Sequence, residues 1–274
     1  MSFLDAGAGS KRPAARPGPA AGAVFPLRIR CDPRRTPGRL RPLILGHRGL
    51  PGDRVENRLE SFKACLALGA DGVECDVQAA ADGVPVVIHD ATLQRTTGRP
   101  GRVADHPASR LEEWGIPSLA RVLEALPAPA LLNLEIKDFG ARGRGLERRV
   151  LDLVRAAGAE DRVLISSFNP LVLARLRRLD PRAYRGQLTA PGWVGAVASA
   201  GVGSPHGVHT HLDQVTPARL EAWRRRGLAV VVWGADTVTA LEQVLDLDVD
   251  AVITDLPAEA VHLRQRRAAA GRPR

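Results

Sequence analysis

From Leu43 onward the chain alternates short apolar, β-rich runs with segments of helical period. Runs at 43–47, 72–77, 130–136, 162–167, 183–188, 206–210, 228–233 and 250–254 have the length and composition of buried strands. Between them, helices are predicted over 59–68, 118–126, 146–157, 171–179, 217–226 and 237–245, several opened by Ser, Thr or Pro. Eight βα units over about 220 residues predict an α/β fold closed into a TIM (β/α)8 barrel, in preference to an open sheet. One further run, 85–89, follows the turn Asp82-Gly83 and reads as a small hairpin excursion after the second strand.

Charge changes the picture at the ends. The 274 residues carry a net charge of +9, which invites a nucleic-acid reading. Residues 1–42 hold +7 of it and residues 264–274 hold +5, leaving the middle at −3. The expected organisation is therefore a basic, disordered N-terminal segment (1–42), a barrel domain (43–263) and a basic disordered tail (264–274). Apart from Phe3 and Phe25, no aromatic residue interleaves with these arginines to stack on bases, so no stable nucleic-acid partner is expected. No run reaches the roughly 20 apolar residues of a transmembrane helix, and residues 1–25 lack the continuous apolar core of a secretory signal. Cys31, Cys65 and Cys75 are odd in number and lack zinc-ligand spacing, which makes a reducing cytoplasm the expected location.

Barrels of this type build chemistry at the carboxyl ends of their strands. The first strand ends in His47-Arg48, the second carries Glu74 and Asp76, the hairpin ends in His89-Asp90, and the third barrel strand carries Glu135 and Lys137. Residues two apart on a strand share a face, so Glu74 joins Asp76, and Asn133 joins Glu135 and Lys137. Carboxylates crowded inside a barrel repel unless something neutralises them: either arginines, which are plentiful, or a cation. The gathering of His47, Arg48, His89 and Lys137 at the same rim favours a cation, and three hard oxygen ligands suit one Mg²⁺ or Ca²⁺. Lys137 is one of only three lysines beside 36 arginines, in keeping with a position where a compact ammonium meets a phosphate. Two histidines flanking a metal-bound phosphate can divide general-base and general-acid work, or one of them can be a metal ligand.

Taken together, HRG at 47–49, EN at 56–57, GADGVECDV at 69–77, DGVPVVIHD at 82–90, LQRTTG at 93–98, NLEIK at 133–137, SSFNP at 166–170 and AVITDLP at 251–257 resemble the glycerophosphodiester phosphodiesterases. The resemblance runs in order from about residue 43 to 260. It implies a TIM barrel with His47 and His89 as the catalytic pair and Glu74, Asp76 and Glu135 around one divalent cation. It also implies Arg48 and Lys137 on the phosphate, Asn57 bracing the first loop, and Trp233 walling the glycerol or alcohol pocket. The implied substrate is a small glycerophosphodiester, cleaved to glycerol 3-phosphate and an alcohol.

Departures from the pattern fall on loop shape and the substrate pocket. Val55 and Arg58 flank the Glu-Asn pair where Pro and Thr are usual, and Gly234-Ala235-Asp236 follow Trp233 where Thr-Val-Asn is commoner. Two other readings are weighed. A lysophospholipase D acting on lipid chains needs an apolar entrance, for which Trp193 is the one large candidate between the fifth and sixth strands. A non-catalytic phosphate- or nucleic-acid-binding protein using its basic tails is at odds with a full set of catalytic candidates.

Overall fold

The computed structural model describes residues 42–126, 128–138, 140, 145–192 and 202–271. The N-terminal segment up to 41, Trp193 and the last three residues, on which some of the expectations above fall, lie outside the described residues. Nine strands form: β1 Leu43–Gly46, β2 Gly72–Ala79, β3 Pro85–Val87, β4 Leu131–Ile136, β5 Val163–Ser167, β6 Arg185–Thr189, β7 Gly207–His211, β8 Ala229–Trp233 and β9 Ala251–Thr254. Eight of them pair in parallel in the order β1-β9-β8-β7-β6-β5-β4-β2, and a β1–β2 pairing closes the ring. The expected TIM barrel is the observed one.

The pleat sorts the strands' side chains into two layers. Leu43, Leu45, Leu131, Leu164, Tyr184, Ala229, Val231, Ala251 and Ile253 fill the barrel axis, with Trp233 packed against them. The alternate residues, such as Ile44, Val208, Val230, Val232 and Val252, meet the surrounding helices. The polar His209 also lies inside, fully buried, its Nε2 3.1 Å from the Tyr184 hydroxyl. Gly186 makes room for it, since a Cβ there would stand 2.3 Å from that nitrogen.

Two regions differ from the sequence expectation. The excursion begins as predicted, with β3 antiparallel to β2 and the Asp82 carboxylate accepting from the Val84 N–H at 3.2 Å. It then continues through short helices at Gln94–Thr97 and Ala108–Glu113 and encloses its own small core of Val86, Ile88, Leu93, Val103, Leu111 and Ile116. Helices of four to six residues show no legible period, which is why only the hairpin was expected. At the other end, the expected disordered tail from 264 is corrected: the last helix runs Pro257–Ala269. Arg264 is 7% exposed, donating to the Pro42 carbonyl at 3.0 Å and pairing with Asp71, whose carboxylate also accepts from the Ile44 N–H. An arginine that reads as tail charge thus bolts the last helix onto the first strand.

Candidate active site

β2 and β4 lie side by side with Glu74 opposite Asn133 and Asp76 opposite Glu135. The register and the shared parity carry Glu74, Asp76 and Glu135 to one point of the mouth, where an oxygen from each lies within 4.8 Å of the others. All three are at most 9% exposed. Burial, reinforced by the neighbouring Asp76 charge, holds Glu74 well above the usual carboxylate range, and burial likewise raises Glu135. Burial would also raise Asp76, but Lys137 and Arg48 outweigh it and leave that carboxyl below its ordinary value.

Lys137 Nζ stands 2.8 Å from Glu135 Oε1 and 3.1 Å from Asp76 Oδ1, and Arg48 Nε 3.3 Å from Asp76 Oδ2. Pairing with side-chain cations, the alternative weighed for these acids, therefore occurs. It does not satisfy the cluster: Glu74 accepts only the Arg48 backbone N–H among the hydrogen bonds found, at 3.1 Å, and buried Asp76 Oδ1 takes no hydrogen bond of good geometry. Three hard oxygen donors, Glu74 and Glu135 among them with raised proton affinity, and an under-satisfied buried oxygen on Asp76 fit a divalent cation.

Two imidazoles flank this cluster. His47 follows β1, and its charge is felt at Glu74; His89 follows the hairpin, and its charge is felt at Asp76 and Glu135. Each has its Nδ1 on an aspartate, at 2.7 Å from Asp255 Oδ1 for His47 and 2.6 Å from Asp90 Oδ1 for His89. Their side chains are 32% and 33% exposed, so a solute can reach them. Burial opposes protonation of His47, but the Asp255 hydrogen bond and the Glu74 charge override it and push its pKa up to about 9.

Asn57 links the first loop to β2. Buried Asn57 donates from Nδ2 to Asp76 Oδ2 at 2.8 Å, and its Oδ1 accepts from the Asp76 N–H at 3.3 Å. Arg48 and Asn57 both take left-handed backbone conformations, φ +53° and +57°, a local cost of roughly 1 kcal/mol that these contacts hold in place. Glu56, Arg95 and Asp90 were not singled out from the sequence. Arg95 grips Glu56 with two bonds of 2.7 Å and Asp90 with bonds of 2.6 and 3.1 Å, while Glu56 also takes Arg48 Nη1 at 3.1 Å. The signal was present in the EN and LQRTTG motifs, which set an acid and a base that need partners. Trp233 lies across the mouth at the end of β8, its Nε1 donating to the His209 carbonyl at 3.3 Å. A cavity of about 520 Å³, lined by Arg54, Arg58, Glu112 and Arg121 among others, opens behind the first loop and includes none of the site residues.

The fold and this geometry define a parallel barrel whose mouth presents a cation-ready acid cluster between two reachable imidazoles. Residues 47–259 match the Glycerophosphoryl diester phosphodiesterase family, and the chain belongs to that family. It is 30% identical over 238 residues to the glycerophosphodiester phosphodiesterase of Caldanaerobacter subterraneus subsp. tengcongensis, covering 82% of this chain and 98% of that relative. It is 31% identical over 254 residues to the enzyme of the same name from Bacillus altitudinis, covering 81% and 98%. Among solved structures, the Thermotoga maritima glycerophosphodiester phosphodiesterase superposes with a TM-score of 0.70 at 26% identity, covering 83% of this chain and all of that one. An Oleispira antarctica phosphodiesterase in complex with the product sn-glycerol-3-phosphate superposes with a TM-score of 0.71 at 26% identity, covering 81% and 96%. The protein is a phosphoric diester hydrolase of the glycerophosphodiester class. Among the described residues no helix is long and apolar enough to cross a membrane.

Proposed function

We propose that this enzyme hydrolyses small glycerophosphodiesters to glycerol 3-phosphate and an alcohol, using His47 and His89 as an acid–base pair beside one divalent cation, Mg²⁺ or Ca²⁺. The observation that carries the reading is the trio of Glu74, Asp76 and Glu135, with ligand oxygens within 4.8 Å, flanked by two aspartate-tethered imidazoles. The product bound to the Oleispira relative is the one expected here. Glu74, Asp76 and Glu135 would hold the cation, which when bound supplies Lewis-acid polarisation of the phosphoryl oxygens.

The side chains do the rest. Arg48 and Lys137 offer positive charge to the diester oxygens as negative charge builds in the transition state. With Nδ1 occupied by Asp255, His47 has Nε2 left to take the proton from the attacking oxygen, a water or the substrate's neighbouring hydroxyl. His89, tethered by Asp90, gives a proton to the departing alkoxide. Each transfer contributes about 10²- to 10⁴-fold. Asn57 keeps Asp76 in place, and Trp233 walls the pocket for one arm of the diester, glycerol or alcohol. The buried free thiols of Cys65 and Cys75 agree with action in the cytoplasm.

The test is alcohol release from glycerophosphocholine and glycerophosphoglycerol with and without EDTA, and with His47→Ala and His89→Ala. Loss of turnover in EDTA and in both variants is expected, with an activated leaving group restoring His89→Ala alone. Full activity in EDTA would overturn the metal reading, and rescue of neither variant would overturn the division of labour.

A further inference from the structure

The barrel order places β7 diametrically across the mouth from β2, and β8 across from β4. The acids and cations therefore occupy one half of the rim and face a different surface on the other. That surface is built from His211 closing β7 and Trp233 closing β8, and Phe168, which follows β5 beside β4, reaches over to Trp233. His211 and Trp233 are register neighbours with ring centroids 4.7 Å apart at 82°, and Phe168 meets Trp233 edge-on at 6.1 Å. His211 shares the parity of His209, which lies in the barrel interior, so its ring stands above that one at the mouth.

The imidazole is oriented by its own chain. Its Nδ1 lies 3.2 Å from the Asp213 N–H and 3.3 Å from Asp213 Oδ2; accepting the N–H puts the hydrogen of the neutral ring on Nε2, and in the protonated ring, with Nδ1–H facing the carboxylate, Nε2 carries one as well. Room for Nε2 comes from the residue after the tryptophan. Gly234 has φ +80°, and a Cβ there would stand 2.5 Å from His211 Nε2. A side chain larger than hydrogen at 234, such as the Thr commoner at this place, would displace the ring. The departure at Gly234 and the presence of an imidazole at 211 are thus one feature.

We propose that His211 is a substrate-binding residue that donates from Nε2 to a hydroxyl of the diester's glycerol arm, which lies on the wall of Phe168 and Trp233. The proposal rests on the phosphodiesterase reading above and names the arm that this half of the site takes. A phosphate held on the β2–β4 side sends one arm across the mouth to β7 and β8. An N–H donor beside aromatic edges suits a polyol, which offers oxygen acceptors and C–H faces, whereas a quaternary ammonium offers no acceptor for it.

The test compares inhibition by glycerol 3-phosphate with inhibition by n-propyl phosphate, which keeps the phosphate and loses both hydroxyls, using the Mg²⁺-supplemented enzyme. Wild type is expected to favour glycerol 3-phosphate. His211→Phe keeps a ring in the wall and removes the donor; it should lose roughly 3- to 10-fold of that preference while binding propyl phosphate as before. His211→Gln, which keeps an N–H donor, should recover most of it, and KM for a glycerophosphodiester should rise in His211→Phe with kcat changed much less. Gly234→Ala, which displaces the ring with residue 211 intact, gives the second arm and should reproduce the loss. Equal preference in wild type and His211→Phe overturns the role of His211 and leaves the phosphodiesterase reading standing. Failure of wild type to bind either phosphate overturns both.

Discussion

Glu74→Gln separates what the carboxylate contributes to the fold from what it contributes to the site. In the folded protein, burial and the Asp76 charge raise its pKa from an ordinary 4.5 to about 8. An acid whose folded pKa lies above its unfolded one stabilises the native state fully below the unfolded value, and that stability is lost as pH rises through the folded value. At pH 7 in the absence of metal, Glu74 therefore costs the fold roughly 3 kcal/mol relative to a neutral isostere. Gln keeps the acceptor for the Arg48 N–H. For a chain of this size that gain is roughly 6–12 °C in Tm. Thermal melts in EDTA should show Glu74→Gln melting above wild type at pH 7, with the gap closing towards pH 4.5. In Mg²⁺ or Ca²⁺ at a hundredfold excess over Kd, wild type should regain about 3 kcal/mol while the variant, short of one ligand, gains less, so the two converge or exchange order. A variant that melts below wild type in EDTA at pH 7, or that responds to metal as wild type does, would refute the reasoning.

Other perturbations read other parts of the argument. Asp255→Asn removes the hydrogen-bonded charge that helps to lift His47 to about 9 against its burial, so the acid limb of kcat/KM should move to lower pH by at least a unit; movement of the alkaline limb instead would make His47 the acid. His209 is held neutral by burial alone, its pKa pushed down from 6.5 to about 3, so stability is full above pH 6.5 and falls by up to about 5 kcal/mol as pH drops through that window. His209→Gln should flatten the acid side of a Tm-against-pH curve, and an unchanged slope would discount this residue. Arg264→Ala leaves Asp71 without its buried partner and should cost about 3–5 kcal/mol in denaturant unfolding; a change within 0.5 kcal/mol, the scale of an ordinary surface substitution, would return the last helix to the status of a tail.

What the sequence made legible is what local physics dictates. Strand period alone puts Glu74 with Asp76 and Glu135 with Lys137, and a parallel neighbour then brings the pairs together whatever the helices do. The DG turn acts within four residues and formed as read. The missed features are those whose causes are distant. Asp255 reaches His47 across 208 positions, and Arg264 reaches Asp71 across 193, so nothing near either residue announces the partner. A run of terminal arginines has the composition of a solvated tail until a buried carboxylate is known to wait for one of them. The short helices beyond the hairpin failed for a different reason: four to six residues span too little of a period for burial to leave a pattern.

The same distinction explains why the site needs its outer ring of charges. His47 stands at the end of a barrel strand and inherits the barrel's rigidity, but His89 stands on an excursion tied to β2 by three register pairs, the Ile88 N–H on the Asp76 carbonyl and the Gln78 amide on the His89 carbonyl. A pair of imidazoles that must meet one phosphorus cannot be held by one rigid element and one loose one. The chain of alternating charge from Arg48 through Glu56, Arg95 and Asp90 to His89 Nδ1 adds a constraint on the imidazole itself, since it ties the excursion to the loop that follows β1. Arg48 contacts Asp76 at the inner end of that chain. The acid cluster and the distant histidine are thereby parts of one electrostatic frame, and each member's charge is matched by a neighbour of opposite sign at every step. Neutralising an interior member leaves each neighbour with one charged partner instead of two, so the frame loosens at the excursion first, where backbone pairing is thinnest.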